Sequence, residues 1–140
     1  MLAMRNEGPH RPPYSTVAGL VLPGARTIGA RRPFVDVVVI LFGLPPGHDL
    51  YVVEPDGRYV GAVVLQHLEP HLDDTPHLRA AIAADLVDAA IQPVAADLPI
   101  AELARWFART RSQRLPVVDS AHRLLGTVSK TDLALRGRFG

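Results

Sequence analysis

Two apolar stretches of similar length set the reading of the chain. Residues 34 to 43 (Phe34, Val35, Val37, Val38, Val39, Ile40, Leu41, Phe42) are ambiguous alone, since β-branched residues suit a strand and length does not decide. The counterpart at 99 to 110 opens with Pro99 at a first helical turn and places Ile100, Leu103, Ala104 and Phe107 on one face, the spacing of an amphipathic helix. Both stretches are therefore expected to be helices. After each come two short strands, 50 to 54 and 58 to 64 in the first case, and around Leu115–Asp119 and Leu124–Val128 in the second. Pro55-Asp56-Gly57 joins the first pair, with Pro and Gly setting the turn dihedrals without strain, and Ser120-Ala121-His122 stands there in the second. A short helix starting near Gln66 or Lys130 is expected to close each unit, and an extended piece near 20 to 28 or 91 to 95 to precede it.

The two units are copies. Residues 52 to 68 align with 117 to 133 at an offset of 65 without a gap, and six of the seventeen pairs are identical: Val52/Val117, Val53/Val118, Arg58/Arg123, Gly61/Gly126, Val63/Val128 and Leu68/Leu133. Keeping the helices aligned as well requires one inserted or deleted residue between helix and strand. Such a repeat predicts two stacked supersecondary units of an α/β domain, neither able to bury both faces alone. The expected division is a flexible linker over 1–14, with Pro9, Pro12 and Pro13, a first repeat over 15–78 and a second over 79–140.

Composition narrows the classes. With 140 residues, 48% hydrophobic and 21% charged, the chain has material for one real core and is not disordered. No segment approaches the roughly 18 uninterrupted apolar residues of a membrane span, so a soluble chain is expected. A formal charge of +1 provides no global basic field for nucleic acid. The absence of Cys removes disulfides and thiol chemistry and fits a reducing compartment.

Leu-Pro-Val-Val-Asp at 115–119, followed by Gly126-Thr127-Val128-Ser129-Lys130-Thr131-Asp132, resembles the CBS domain, which occurs as tandem pairs. The resemblance covers roughly residues 17 to 136 and is stronger in the second repeat. It implies a tandem CBS pair of two β-α-β-β-α repeats about a pseudo-two-fold axis. Leu50 to Val63, the linker Ala83-Ala84-Asp85-Leu86, and Leu124 to Asp132 further resemble the pair at the cytoplasmic C-terminus of bacterial ClC-type chloride channels or antiporters. On that resemblance the expected partners are a transmembrane ClC transporter domain and a second copy in a homodimer. The ligand it implies is an adenine nucleotide, ATP, ADP or AMP, acting as regulator rather than required cofactor. The implied contacts are Ser129 and Lys130 to phosphate, Asp132 to ribose, and the backbone around Pro116 and Val117 to adenine.

The same residues carry a plainer reading. Ser129-Lys130-Thr131-Asp132 fits a capping box, with Ser129 capping the helix and Asp132 reaching back to a free N–H. The first repeat has Val64 and His67 at the positions of Ser129 and Asp132, so at most one nucleotide site per chain is expected. Arg109, Arg111 and Arg114, in the loop before the second-repeat strand, are expected to be solvated, the alternatives being contacts with nucleotide phosphates, acidic lipid headgroups or an acidic partner surface. The run His67, Glu69, His71, Asp73, Asp74, His77 has an i, i+4 histidine pair, but Pro70 interrupts the helix and no metal site is expected. Trp106 fits the core or a dimer face. No nucleophile elbow, Walker loop or His-Glu-x-x-His helix occurs, so no catalytic residues are expected.

Overall fold

Two three-stranded sheets, one per repeat, organise the protein. The computed structural model describes residues 15–73 and 75–136; the expected linker over 1–14 lies outside them. In the first repeat β1 (Thr27–Gly29) pairs parallel with β2 (Leu50–Val53), which pairs antiparallel with β3 (Tyr59–Val63). Helix α1 (Phe34–Phe42) makes the crossover from β1 to β2 that a parallel pair requires. Helix α2 (Leu65–Leu68) follows β3, and α3 (Thr75–Leu78) leads toward the second repeat. There β4 (Val94–Ala95), α4 (Ile100–Ala108), β5 (Arg114–Val118), β6 (Leu124–Ser129) and α5 (Lys130–Arg136) repeat the arrangement. Of the extended pieces expected near 20 to 28 and 91 to 95, only Thr27–Gly29 and Val94–Ala95 pair as strands, and Val17–Leu20 winds into a 3-10 turn.

The ambiguous run at 34 to 43 is a helix, as its counterpart required. Val37 and Leu41 of α1, one turn apart, are buried, as are Leu103 and Phe107 of α4. Pro33 and Pro99 stand at the N-caps, one place before the first helical turn, where a fixed φ is favourable and no intrahelical N–H is lost. The helices begin 66 residues apart, Phe34 against Ile100, and the third strands 65 apart, Tyr59 against Leu124, so the single-residue difference falls between helix and strand. Both repeats even shift register at the same place, between Val52 and Val53 and between Val117 and Val118.

The hairpin tips meet at the pseudo-two-fold axis. Tyr59 N–H donates to the His122 carbonyl at 2.8 Å and Leu124 N–H to the Gly57 carbonyl at 3.0 Å, a reciprocal pair, with Arg58 and Arg123 bridged between them. Gly57 has φ of 90° and His122, at the equivalent turn position, 64°. The left-handed conformation costs glycine nothing and a histidine of order 1 kcal/mol.

Each repeat also lends the other its leading turn. Val17 and Leu20 are buried in the second core with Leu103, Phe107 and Val117, whereas Ala83 and Leu86 are buried in the first with Val37, Leu41 and Val52. Backbone bonds fix the exchange: Val17 N–H to the Leu98 carbonyl at 2.9 Å, Ala83 N–H to the Arg32 carbonyl at 2.8 Å. The chain after each turn passes over the other sheet so closely that the crossed position must be glycine. A Cβ on Gly126 would lie 2.3 Å from the Leu22 carbonyl oxygen, and one on Gly61 2.6 Å from the Cβ of Val87. Tyr51, Tyr59, Ala62, Ile91 and Val118 then close the seam between the halves.

Candidate functional site

β6 runs into α5 without a loop, so Ser129 ends the strand and Lys130 begins the helix. Ser129 is buried, and its Oγ accepts the Asp132 N–H at 2.9 Å, satisfying one of the free donors of the first turn. The other half of the expected capping box does not form. Asp132 Oδ2 lies instead 3.7 Å from Nη1 of Arg136, one turn along, because the shorter carboxylate meets a cation on its own helix face. The Nζ of Lys130 sits 6.0 Å from the Phe107 ring centroid, and Pro116 and Val117 are buried inside β5. The backbone that closely approaches Gly126 is the chain's own, at Leu22.

A cleft of about 900 Å³ opens elsewhere along the seam, within the usual volume for small-molecule sites. Both repeats line it: the loop 44–49 after α1, Val64 to His67 at the β3–α2 junction, Asp88, Ala90 and Ile91, and the loop 109–113 after α4. None of Pro116, Val117, Ser129, Lys130 or Asp132 lines it. It is the junction of the first repeat, where the motif reads Val64 and His67, that faces this space.

Charges of both signs meet there. Arg109 and Arg111 come from the loop after α4, so two of the three arginines border a ligand-sized cleft, while Arg114 is the first residue of β5. Asp49 and Asp88 supply carboxylates. Burial, reinforced by the neighbouring Asp88 charge, pushes the Asp49 carboxyl up to about 6. Asp88 Oδ1 accepts the Ala90 N–H at 3.0 Å, and its Oδ2 lies 4.0 Å from Nδ1 of His67. Behind them the Tyr51 hydroxyl is buried without a hydrogen-bond partner among the described residues, and Tyr59 donates to the Ile91 carbonyl at 3.3 Å. Burial raises both phenols, helped by the Asp49 charge.

No motif marks Asp49 or Asp88. They stand out only when the repeats are superposed, because the positions equivalent to them, 65 and 66 residues away, are Arg114 and Leu22. The histidine run is split as Pro70 implies: α2 stops at Leu68 and Glu69–His71 continues as a 3-10 turn. His67 and His71 face each other with ring centroids 6.3 Å apart, and among the described residues no three acidic or histidine side chains converge as metal ligands. Asp74 lies outside the described residues. Trp106 packs half-buried against the second core.

Residues 83–136 match the family model of the CBS domain. The superposition partners extend that match to the whole architecture. The cystathionine beta-synthase pair domain of SO5017 from Shewanella oneidensis MR-1 aligns with a TM-score of 0.72 at 17% identity, over 89% of this chain and 70% of that one. The fold is a tandem CBS pair. CBSX2 in complex with AMP aligns at 0.70 with 20% identity, over 88% of this chain and 96% of that one. The cytosolic domain of the Mg2+ channel MgtE, solved with ATP, aligns at 0.67 with 26% identity, over 86% of this chain and 48% of that one. No curated protein matches the sequence. Among the described residues no helix is long and apolar enough to cross a membrane.

Proposed function

We propose that this CBS pair is a regulatory module rather than an enzyme, taking an adenine nucleotide at the seam between its repeats and passing the result to an attached membrane transporter. The observation that carries this reading is the cleft of about 900 Å³ lined by both repeats and bordered by Arg109 and Arg111. A ligand there touches both halves, so a difference in its affinity for two of their arrangements would shift the balance between them, which is the condition for coupling. Similar pairs have been solved with AMP and ATP. The parent is proposed as a transporter: the motif resemblance points to a ClC-type chloride channel or antiporter and a cytoplasmic location, and the likeness to the MgtE cytosolic domain to transporter attachment more broadly. Pro116, Val117, Ser129, Lys130 and Asp132 remain the proposed contacts if the single nucleotide occupies the second-repeat junction instead of the cleft, with the repeats divided at 15–78 and 79–140.

Calorimetric titration of the chain with ATP, ADP and AMP tests the reading, with saturable binding near one site per chain expected. No binding at millimolar nucleotide sinks it. A second reading, a ligand-free homodimerisation module, is favoured by one feature: Val35, Val39 and Phe42 are 61%, 70% and 52% exposed on the outer face of α1. A dimer that Val39→Arg dissociates, together with nucleotide silence, supports that alternative.

A further inference from the structure

The first repeat lacks both the hydroxyl and the carboxylate of the motif, with Val64 and His67 in their places, yet its junction is the one that borders the cleft. We infer that the cleft is nevertheless a nucleoside-phosphate site, in which Asp88, from a different element, supplies the carboxylate that receives the sugar hydroxyls and Arg109 and Arg111 take the phosphate. The inference rests on the nucleotide reading above and names its cleft and its residues.

Position and chemistry both support it. Asp88 Oδ2 stands 4.0 Å from the His67 ring, so a carboxylate lies beside the side chain that occupies the motif's acidic position. The carboxylate is pre-set: its other oxygen is fixed by the Ala90 N–H at 3.0 Å, and its side chain is 19% exposed. An ionised carboxylate is an acceptor only, and two vicinal hydroxyls are donors that match it, whereas a second anion is repelled. The phosphate therefore goes to the guanidinium groups of Arg109 and Arg111, which border the same cleft and present paired donors to phosphate oxygens. Leu41, Leu65 and Ile91 give the lining an apolar part against which a base can lie. Asp49, close enough to Asp88 for their charges to interact, keeps that corner acidic or hydrogen-bonding according to its protonation.

The experiment crosses one residue change with one ligand change. AMP and 2′,3′-dideoxy-AMP are titrated into the native chain, Asp88→Asn and Asp132→Ala; asparagine keeps the Oδ1 acceptor for Ala90 N–H, so the turn is retained. The expected result is that the native chain prefers AMP, that Asp88→Asn weakens AMP about 10- to 100-fold, the range of a lost hydrogen bond to charge, and that the variant no longer distinguishes the two ligands. If Asp88→Asn binds AMP as the native chain does, the inference falls while the nucleotide reading stands; if Asp132→Ala alone removes the discrimination, the nucleotide lies at the second-repeat junction and the inference falls together with its cleft. If the native chain binds neither ligand, both fall.

Discussion

The two repeats share a backbone and differ in what they place on it. Their strands shift register at equivalent residues, their hairpin tips exchange reciprocal hydrogen bonds and each needs glycine where the other's chain crosses. Yet the second repeat caps its closing helix with Ser129, whereas Val64 at the N-cap of α2 makes no side-chain bond. Asp49 and Asp88 face Arg114 and Leu22 as equivalents, and the outer face of α1 carries Val35, Val39 and Phe42 where α4 has Ala101, Arg105 and Ala108. The division teaches that the exchanged cores fix the shape and leave junctions and outer faces free to diverge. The polar groups differ accordingly: Ser129 caps the helix at the second junction, whereas the first junction, with Val64 and His67, borders a cleft whose charges come from both repeats.

The largest expected break in the symmetry is at the crossing glycines. Gly126→Ala sets a Cβ 2.3 Å from the Leu22 carbonyl oxygen, which can yield only if the backbone bond pair between Leu22 and Thr127, at 2.7 and 3.1 Å, is disrupted. Gly61→Ala meets the Val87 side chain at 2.6 Å, which has side-chain as well as backbone freedom to move. Denaturant unfolding is expected to show a loss above about 3 kcal/mol for Gly126→Ala and about 1–3 kcal/mol for Gly61→Ala. Equal losses would mean that the two crossings are equally deformable.

The repeats also differ in how far the chain's residues announce them, and the reason is the distance over which each signal acts. Period and repeat suffice for α1, α4, the hairpins and the one-residue difference between helix and strand, because apolar spacing and turn residues are local. The exchange of leading turns is not legible in that way: an extended piece near 20 to 28 is all that the local pattern predicts there, and only packing shows that Val17 and Leu20 complete the other half's core. The Ser129 cap is visible from Ser129-Lys130-Thr131-Asp132, but the partner of Asp132 depends on Arg136, one helical turn beyond the motif. Asp49 and Asp88 are 39 residues apart and come together only at the seam, so no spacing rule pairs them.

Those two residues give the next contrast, in pH. Asp49 ionises near 3.8 in the unfolded chain and near 6 when folded, held up by burial and then by Asp88. The folded state binds the extra proton between these values, so the group's stabilising contribution is complete below about 3.8 and is lost as pH rises through about 6. Asp56 and Asp119 behave oppositely: backbone N–H groups of Arg58 and Arg123 hold them low, so their contribution is lost only as pH falls below the usual carboxylate range. Asp49→Asn removes the first effect alone. Its melting temperature should rise relative to the native chain between pH 4 and pH 7, and an offset that stays constant across that range would contradict the assignment.

The smallest effect concerns the junction residues themselves. Ser129→Ala leaves the Asp132 N–H, in the partly buried first turn of α5, without its acceptor, and a loss of about 1 kcal/mol is expected, as for N-cap serines in general. The reverse exchange, Val64→Ser, does not return the same amount. α2 is only four residues long before the chain tightens into the 3-10 turn at 69–71, so a cap there supports little helix. Val64 also packs against the seam cluster of Tyr51, Tyr59 and Ile91, and removing its methyl groups costs apolar burial that offsets the new hydrogen bond. The net change for Val64→Ser should fall within about 0.5 kcal/mol of zero. A gain equal to the Ser129→Ala loss would mean that the two junctions are interchangeable and that the valine has no packing role.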